Sequence, residues 1–417
     1  RATNGRGGAI YVNTNLGNDA FSGSSSILSS RFINNAASPI NNLVSGTMIG
    51  ISGSSQSGGT ITIDGSNTMK NVGENGFLIA NGYKGLILDG IQFSYEGNGN
   101  RQFGVLYSFS NGATNINGCT FNGVGYTSSD GNTFGNAIRL DEDGCTVIVD
   151  SCKFIDCVGD SNDKQNFVIY GSGYHIPGKT LEVTNSEFTF SNTDRSAAGI
   201  CLERYARMII NSCSFTNCWT DRDGDYPGGI RYGPGLNNED ASARDYCNFE
   251  ITNCVFDNCN NKDNSKYNVG RVIYGRPAKS SNVFSNCIIK NTVNGTYIFK
   301  WEFKTREHAF TLNNFTFENN QACCPEGGGA GISIINSVEI TFKNCHFIAN
   351  TQTSGSSHGG AFVCPSVSTA SNQEIIFDGC HFENNSVPNT NNGGALYLRA
   401  PSHSVTVKSC TFVDTRP

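Results

Sequence analysis

The sequence has few hydrophobic residues, few charged residues and no long apolar run. Hydrophobic side chains make up only 37% of its 417 residues and charged side chains only 15%. No segment shows the 3.6-residue apolar period of an amphipathic helix, and none approaches the roughly 20 apolar residues of a membrane-spanning helix. The composition therefore favours a fold that buries only a thin apolar row, and it predicts no membrane insertion by this segment.

Positive charge is also scarce. Lys and Arg together number 29 against 35 Asp and Glu, which gives a formal net charge of −6. Proteins that bind nucleic acid usually carry a basic stripe along one face. The charge balance therefore argues against nucleic acid as a partner.

A short phrase returns about every 32 residues along the chain. Its last copy is Val405-Thr406-Val407-Lys408-Ser409-Cys410-Thr411-Phe412, and the copies end at Phe93, Phe121, Phe154, Phe188, Phe215, Phe256, Ile289, Phe317, Phe347, Phe382 and Phe412. Apolar and polar residues alternate in each copy, and Cys precedes Phe by two positions. Each copy therefore reads as one strand with Cys and Phe on its inward face.

Stacking of these copies would give a continuous core. Strands about 4.8 Å apart place Phe on Phe and Cys on Cys in adjacent repeats. Each period holds two clear strand signals, fewer than the four strands of a propeller blade. The sequence thus predicts an all-β fold, a single parallel β-helix over residues 1–417. It would have about 12 or 13 coils, variable loops and no separate capping domains, and the crossover rule makes it right-handed.

Two further elements recur between the Phe-bearing strands. One is Gly-Gly-Ala, at Gly359-Gly360-Ala361 and Gly393-Gly394-Ala395, with looser forms at 198–200, 228–230 and 328–332. The other is Asn after Phe, as in Phe317-Glu318-Asn319-Asn320. Gly and Asn tolerate the left-handed backbone region that tight corners require, and stacked Asn side chains can hydrogen-bond along a ladder.

The 17 cysteines suggest an oxidising, extracellular setting, although most of them have a packing explanation. Eleven stand in rows, two before or three after the Phe position: Cys119, Cys152, Cys157, Cys213, Cys218, Cys254, Cys259, Cys287, Cys345, Cys380 and Cys410. Parallel side chains in register are poorly aimed for a disulfide, so reduced, buried rows are favoured and bridges between coils are the alternative. The better disulfide candidates are Cys145, Cys201, Cys247, Cys323, Cys324 and Cys364. Since 17 is odd, at least one thiol stays unbridged or pairs with another chain.

The alternation of Gly-Gly-Ala with Phe-x-x-Asn along nearly the whole chain resembles the polymorphic outer-membrane-protein repeat family. It is similar to the wider group of right-handed parallel β-helix, pectin-lyase-like surface proteins. The resemblance implies a secreted or surface-displayed β-helix used in adhesion or as an extracellular structural element. The chain departs from that family in its dense Cys-x-Phe-x-x-Cys usage, at 152–157, 213–218 and 254–259.

Four charged residues near the Gly-Gly-Ala strands are candidates for a carbohydrate-active site: Arg139, Asp141, Glu203 and Arg231. If the coils are in register, these side chains form a row on the outer face. Two carboxylates in that row could act as acid and base on a sugar. Charged residues on the outer face of a sheet usually serve only solvation. We therefore favour a non-enzymatic role and keep a carbohydrate-active or carbohydrate-binding β-helix as the alternative.

Other residues offer weaker signals. Asp221, Asp223 and Asp225 alternate as hard-cation ligands can, so calcium is the metal to consider, but they lack the order of an EF-hand loop. His346 and His381 fall between Cys and Phe and so should point outward, as a solvent-facing pair rather than a metal site. Glycosylation acceptors in a eukaryotic secretory route would be Asn294, Asn314 and Asn384. Aromatic side chains that could stack on sugars, but more often pack, are Trp219, Tyr226, Tyr232 and Trp301.

The two ends of the chain read as parts of one repeat. Phe412 to Pro417 written before Arg1 to Val12 recreates a whole unit, and neither end carries a capping motif. This pattern predicts head-to-tail association of subunits into a fibre. The alternative is a fragment or processed product of a longer β-helix, since the chain opens at Arg1 without an initiator Met or a signal peptide. The predicted function is an extracellular or cell-surface structural or adhesive protein, which self-associates and can meet surface glycans.

Overall fold

The structure is a computed structural model, and its described residues contain strands and no helix. The described residues are 10–13, 25–27, 31–33, 49–52, 60–64, 68–71, 78–80, 85–95, 106–108, 112–124, 137–142, 146–157, 167–173, 180–191, 198–203, 207–220, 227–233, 248–261, 270–275, 282–293, 297–303, 308–322, 329–335, 337–353, 358–364, 373–387, 392–398 and 404–416. Among them no helix is long and apolar enough to cross a membrane.

The chain forms two compact units, residues 1–209 and 210–417. In each unit the chain visits three parallel sheets in a fixed order, here called the first, second and third sheet. One pass through the three strands makes one coil, and strands of adjacent coils pair in register, as Phe121 does with Phe93 and Phe154. The predicted all-β parallel β-helix is therefore confirmed within each unit. That residues 1–417 form one domain stays a prediction.

Six coils are described in residues 1–209. The first-sheet strands are Ile10–Asn13, Ile49–Ser52, Leu78–Ala80, Leu106–Ser108, Ile138–Glu142, Phe167–Gly173 and Ala198–Glu203. The second-sheet strands are Ser25–Ile27, Thr60–Ile63, Gly85–Asp89, Ala113–Asn117, Val147–Asp150 and Thr180–Thr184, and Arg207–Asn211 runs across the unit boundary. The third-sheet strands are Arg31–Ile33, Thr68–Asn71, Gln92–Tyr95, Thr120–Asn122, Lys153–Ile155 and Glu187–Thr189.

Seven third-sheet strands are described in residues 210–417: Ser214–Thr216, Val255–Asp257, Ile288–Lys290, Thr316–Glu318, His346–Ile348, His381–Glu383 and Thr411–Val413. The second-sheet strands are Asn248–Thr252, Asn282–Ser285, His308–Asn313, Ser337–Lys343, Glu374–Asp378 and Ser404–Lys408. The first-sheet strands are Ile230–Gly233, Gly270–Gly275, Tyr297–Glu302 and Ile332–Ile335, and Phe362–Cys364 pairs with Leu396–Leu398. Short pairs are Trp219–Thr220 with Asn260–Asn261, and Gln321–Ala322 with Thr351–Gln352.

The repeated phrase is two short strands joined by a corner, so the prediction of a single strand is wrong. In the last copy Ser404–Lys408 lies in the second sheet and Thr411–Val413 in the third, and Ser409 between them has a φ of 54°. Left-handed residues recur before the Cys position and two after the Phe position: Ser151, Asp156, Asn185, Ser212, Asn217, Asn253, Asn258, Asn286, Asn291, Asn314, Asn319, Asn344, Ala349, Asn384, Ser409 and Asp414. Asn, Ser and Asp therefore supply most corners, as short polar residues do in this region.

Phenylalanine rings form the predicted columns inside each unit. In residues 1–209 the ring centroids of Phe121 and Phe154 are 4.6 Å apart, and those of Phe154 and Phe188 are also 4.6 Å apart. In residues 210–417 Phe347 and Phe382 stack at 4.8 Å with nearly parallel rings. These separations equal the strand spacing, so each ring packs on the same residue of the next coil.

The cysteine rows are reduced and buried in the structure, which confirms the favoured interpretation. The reduced thiols are Cys119, Cys152, Cys157, Cys201, Cys213, Cys218, Cys254, Cys259, Cys287, Cys345, Cys380 and the half-buried Cys410. Cys201 was predicted as a disulfide candidate, and that prediction is wrong. The other five candidates, Cys145, Cys247, Cys323, Cys324 and Cys364, have side chains outside the described part of the chain.

At the corners, thiol and hydroxyl side chains make hydrogen bonds to backbone groups of the adjacent coil. The N–H of Cys254 donates to Sγ of Cys287 at 3.5 Å, and Cys287 in turn donates to the carbonyl of Ile251 at 3.6 Å. Ser186 has the same role in residues 1–209, where its Oγ accepts from the N–H of Cys152 at 3.1 Å. Burial is the main cause that raises the pKa of Cys287, so this thiol stays neutral and can act as a donor.

Candidate functional site

The outer face of the first sheet in residues 1–209 carries a cation packed on an aromatic ring. Arg139 lies between the inward-facing Ile138 and Leu140, and register places it beside Tyr107 and Tyr170. Its guanidinium carbon is 5.1 Å from the ring centroid of Tyr170, and Arg139 is only 6% exposed. The expectation of a purely solvated outer face is therefore wrong at this position, where the cation is shielded and stacked.

The neighbouring row of the same face brings together two of the predicted carboxylates. Register places Asp141 beside Ser172, and Ser172 beside Glu203. Asp141 and Glu203 are thus two strand spacings apart, about 9.6 Å between backbones. The side chains of Asp141 and Glu203 lie outside the described part of the structure.

The corresponding face in residues 210–417 holds a row of buried polar residues: Arg231, Tyr274, Lys300 and Ser333. The Nζ atom of Lys300 is 5.6 Å from the ring centroid of Tyr274, and Arg231 is 2% exposed. Arg231 was predicted as a solvent-facing candidate, and its burial overturns that expectation. Sequence reasoning missed Tyr274 and Lys300, which only the pairing of the strands places in one row with Arg231.

Asp150, at the end of a second-sheet strand, is a carboxylate with a structural role. The hydroxyl of Thr184 donates to it at 2.5 Å and is the main cause that holds its pKa below the usual value. The amide of Asn185 donates at 2.8 Å and lowers the pKa further, while burial acts in the opposite direction. A carboxylate held ionised in this way fixes a corner rather than transferring protons.

The remaining candidates divide between described and undescribed residues. Asp221, Asp223, Asp225, Asn294 and Tyr226 lie outside the described residues. Asn314 and Asn384 are exposed at left-handed corners, and the Nδ2 atom of Asn314 donates to Asn286. Trp219, Tyr232 and Trp301 are buried, which confirms their interpretation as packing residues. No three His, Cys, Asp or Glu side chains in the described segments are grouped so that they could hold a metal ion.

The last described coil continues the core columns of the coils before it. Phe412 stacks on Phe382 at 4.7 Å through one ring face but is 46% exposed, whereas Phe382 is buried. Val407 continues the column of Phe342 and Phe377, which are buried, and is 44% exposed. We call the face of this coil that points away from Phe382, defined by Val407, Cys410 and Phe412, the open face.

The comparisons with known proteins agree with this architecture. Residues 160–364 match the family model described as a right-handed β-helix region. No curated protein and no solved structure matches the chain. The narrower resemblance to polymorphic outer-membrane-protein repeats stays a prediction.

Proposed function

We propose that this chain, whose described strands form parallel β-helical coils and whose residues 160–364 match a right-handed β-helix region, serves outside the cell as a structural or adhesive scaffold whose coils associate end to end. The observation that carries the proposal is the column of stacked rings, in which each coil presents the same side chains to the next coil. A coil with a matching row of apolar side chains would bury Phe412 and Val407 in the way that Phe412 buries Phe382. Such head-to-tail contacts give fibres when the rotation between successive copies does not close a ring.

A row that matches this contact lies in the first described coil of a second copy. In the first coil Phe32 holds the Phe position, because it pairs with Met69, which pairs with Phe93. A second copy that docked at this coil would therefore place Phe32 at the register position that Phe412 occupies in its own strand.

The buried thiols are compatible with an extracellular location. The thiolate is the form of cysteine that reacts with oxidants and disulfides. Burial is the main cause that raises the pKa of Cys345, and the same cause raises the pKa of Cys410 at the open face. Buried thiols such as Cys254, Cys287 and Cys345 are shielded from oxidants and disulfides in solution, so reduced rows can persist in an oxidising setting.

We expect Phe412→Asp to weaken self-association of the chain by at least about tenfold, because the apolar contact of one aromatic side chain is lost and a charge is buried instead. Sedimentation velocity over a range of concentrations measures the association, and negative-stain electron microscopy shows whether fibres form. Thr411→Asp is the matched control, since it adds the same charge to an exposed, outward position of the same strand.

Two results would overturn end-to-end association. One is a wild-type chain that stays monomeric at every concentration. The other is a Thr411→Asp variant that loses association to the same degree as Phe412→Asp, because that outcome would indicate nonspecific electrostatic repulsion rather than a contact at the open face.

A carbohydrate-active role is the second candidate, and one observation favours it. Asp141 and Glu203 lie in one row at a backbone separation of about 9.6 Å. Glycoside hydrolases use two carboxylates that flank the bond to be cleaved, and two carboxylates in one row are the residues that such a reaction would need.

Incubation of the chain with mixed neutral and acidic polysaccharides separates the two functions. A scaffold gives no new reducing ends and no unsaturated products above the blank, and this is the outcome that we expect. Products that disappear in both Asp141→Asn and Glu203→Gln, but persist in Ser172→Ala, would replace the scaffold proposal with a glycosidase.

A further inference from the structure

Two histidines stand side by side on the outer face of the third sheet in residues 210–417. His346 pairs in register with His381 on the next coil, and Thr316 and Thr411 continue the row on either side. Both imidazoles are half-buried and their ring centroids are 5.9 Å apart. Neighbouring strands hold these rings together without any loop, so their spacing is fixed by the sheet itself.

Glu383 fixes the orientation of one of the rings. It lies two residues after His381 on the same face, and its Oε2 atom is 3.0 Å from Nε2 of His381. With Nε2–H donating to this carboxylate, the lone pair of His381 lies on Nδ1. A histidine that binds a metal commonly donates its other ring N–H to a carboxylate in this way.

We propose that His346 and His381 bind a divalent transition metal ion, of the zinc, nickel or copper class, with water in the remaining coordination positions. Metal–nitrogen bonds of about 2.0–2.1 Å at a tetrahedral angle place two imidazole centroids about 5.2 Å apart. The observed separation of 5.9 Å is within about 1 Å of that value, a shift that half-buried side chains make by small rotations. Two protein ligands suffice for this site, so it does not need a third His, Cys, Asp or Glu.

The surrounding charges favour a cation. Glu383 and Glu318 belong to the adjacent outward row, with Ile348 between them. Imidazole ligands suit zinc, copper and nickel, whereas calcium and magnesium prefer oxygen ligands. A bound metal ion would cross-link two adjacent coils, because its two ligands come from different coils.

Isothermal titration of the purified chain with Ni²⁺, Zn²⁺ and Cu²⁺ tests the site. We expect His346→Gln and His381→Gln each to weaken binding at least tenfold, and Glu383→Gln to weaken it about 10- to 100-fold through loss of the oriented ring. His308→Gln is the matched control, because His308 lies in a second-sheet strand and stacks on Phe303. This control should bind metal as the wild type does.

Several outcomes would overturn the metal site. The wild type could bind none of the three ions more tightly than the double variant His346→Gln, His381→Gln, or His308→Gln could lower the affinity as much as His346→Gln. Circular dichroism of every variant without metal checks that the fold is retained. A Glu383→Gln variant with wild-type affinity would remove the assigned role of Glu383 in positioning His381.

Discussion

Gly360→Val is expected to lower the free energy of unfolding of residues 210–417 by about 3 kcal/mol or more. A Cβ atom at Gly360 would lie 2.0 Å from the carbonyl oxygen of Gly394 and 2.5 Å from the backbone nitrogen of Ser386. Both are backbone atoms of neighbouring segments, so no side-chain rotation relieves the clash. The coils would have to separate, and the hydrogen bond from Gly360 N–H to the carbonyl of Gly393 would be lost.

The same close approach recurs from coil to coil and explains the Gly-Gly-Ala repeat. A Cβ atom at Gly329 would lie 1.9 Å from the carbonyl oxygen of Gly360, and one at Gly394 would lie 2.7 Å from backbone atoms of Arg416. Glycine is present because the backbones of successive coils touch at this corner. The alanine after it is buried, as Ala361 shows.

Gly233→Val is the control for this prediction, because an added Cβ atom there has no described neighbour within 4 Å. Urea unfolding followed by the fluorescence of Trp219 and Trp301 measures the change in stability. Amide hydrogen exchange should become faster in the peptides that contain Gly329 and Gly394, since each repeat of a solenoid contacts only its neighbours. Equal loss of stability in Gly233→Val and Gly360→Val would contradict the backbone-contact explanation.

The buried columns of Phe and Cys could be predicted from the sequence because the alternation of inward and outward side chains continues across each corner. Phe382 and Cys380 both face inward, as alternation predicted, although a corner with Gly379 in a left-handed conformation precedes Cys380. A bend at that point keeps the two-residue spacing between inward side chains. Alternation therefore predicts which residues are buried, but it does not show whether a copy forms one strand or two strands joined by a corner.

The row of Arg231, Tyr274 and Lys300 could not be predicted in the same way. Spacing between equivalent residues of adjacent coils varies, from 41 between Asn211 and Thr252 to 28 between Asn286 and Asn314. Much of this variation falls between the third-sheet and first-sheet strands, where the sequence has no fixed period. The register of the first sheet, and the burial of its outward cations, follow only from three-dimensional pairing.

Asn350→Leu is expected to lower the free energy of unfolding by about 3–5 kcal/mol, because a buried hydrogen-bonding side chain is replaced by an apolar one of similar size. The Nδ2 atom of Asn350 donates to the carbonyl of Phe317 at 2.8 Å and to Oδ1 of Asn385 at 3.1 Å. Its Oδ1 atom accepts from the N–H and the Nδ2 group of Asn320, at 3.2 and 3.1 Å. Leucine would leave several of these groups buried without a partner. Thermal and urea unfolding measure the loss, and Asn313→Leu, at an exposed strand position, should change stability by less than about 0.5 kcal/mol.

Asn350→Cys should recover part of the lost stability, because earlier coils make the equivalent contact with a thiol. Cys259 donates to the carbonyl of Phe215 at 3.4 Å, and Asn350 and Asn385 make the same bond to the Phe carbonyl of the coil before them, at 2.8 and 2.7 Å. A donor three residues after Phe is therefore the common requirement, which cysteine meets weakly and asparagine meets with a second bond along the ladder. An Asn350→Cys variant no more stable than Asn350→Leu would show that the ladder between asparagines, rather than the bond to Phe317, stabilises this corner.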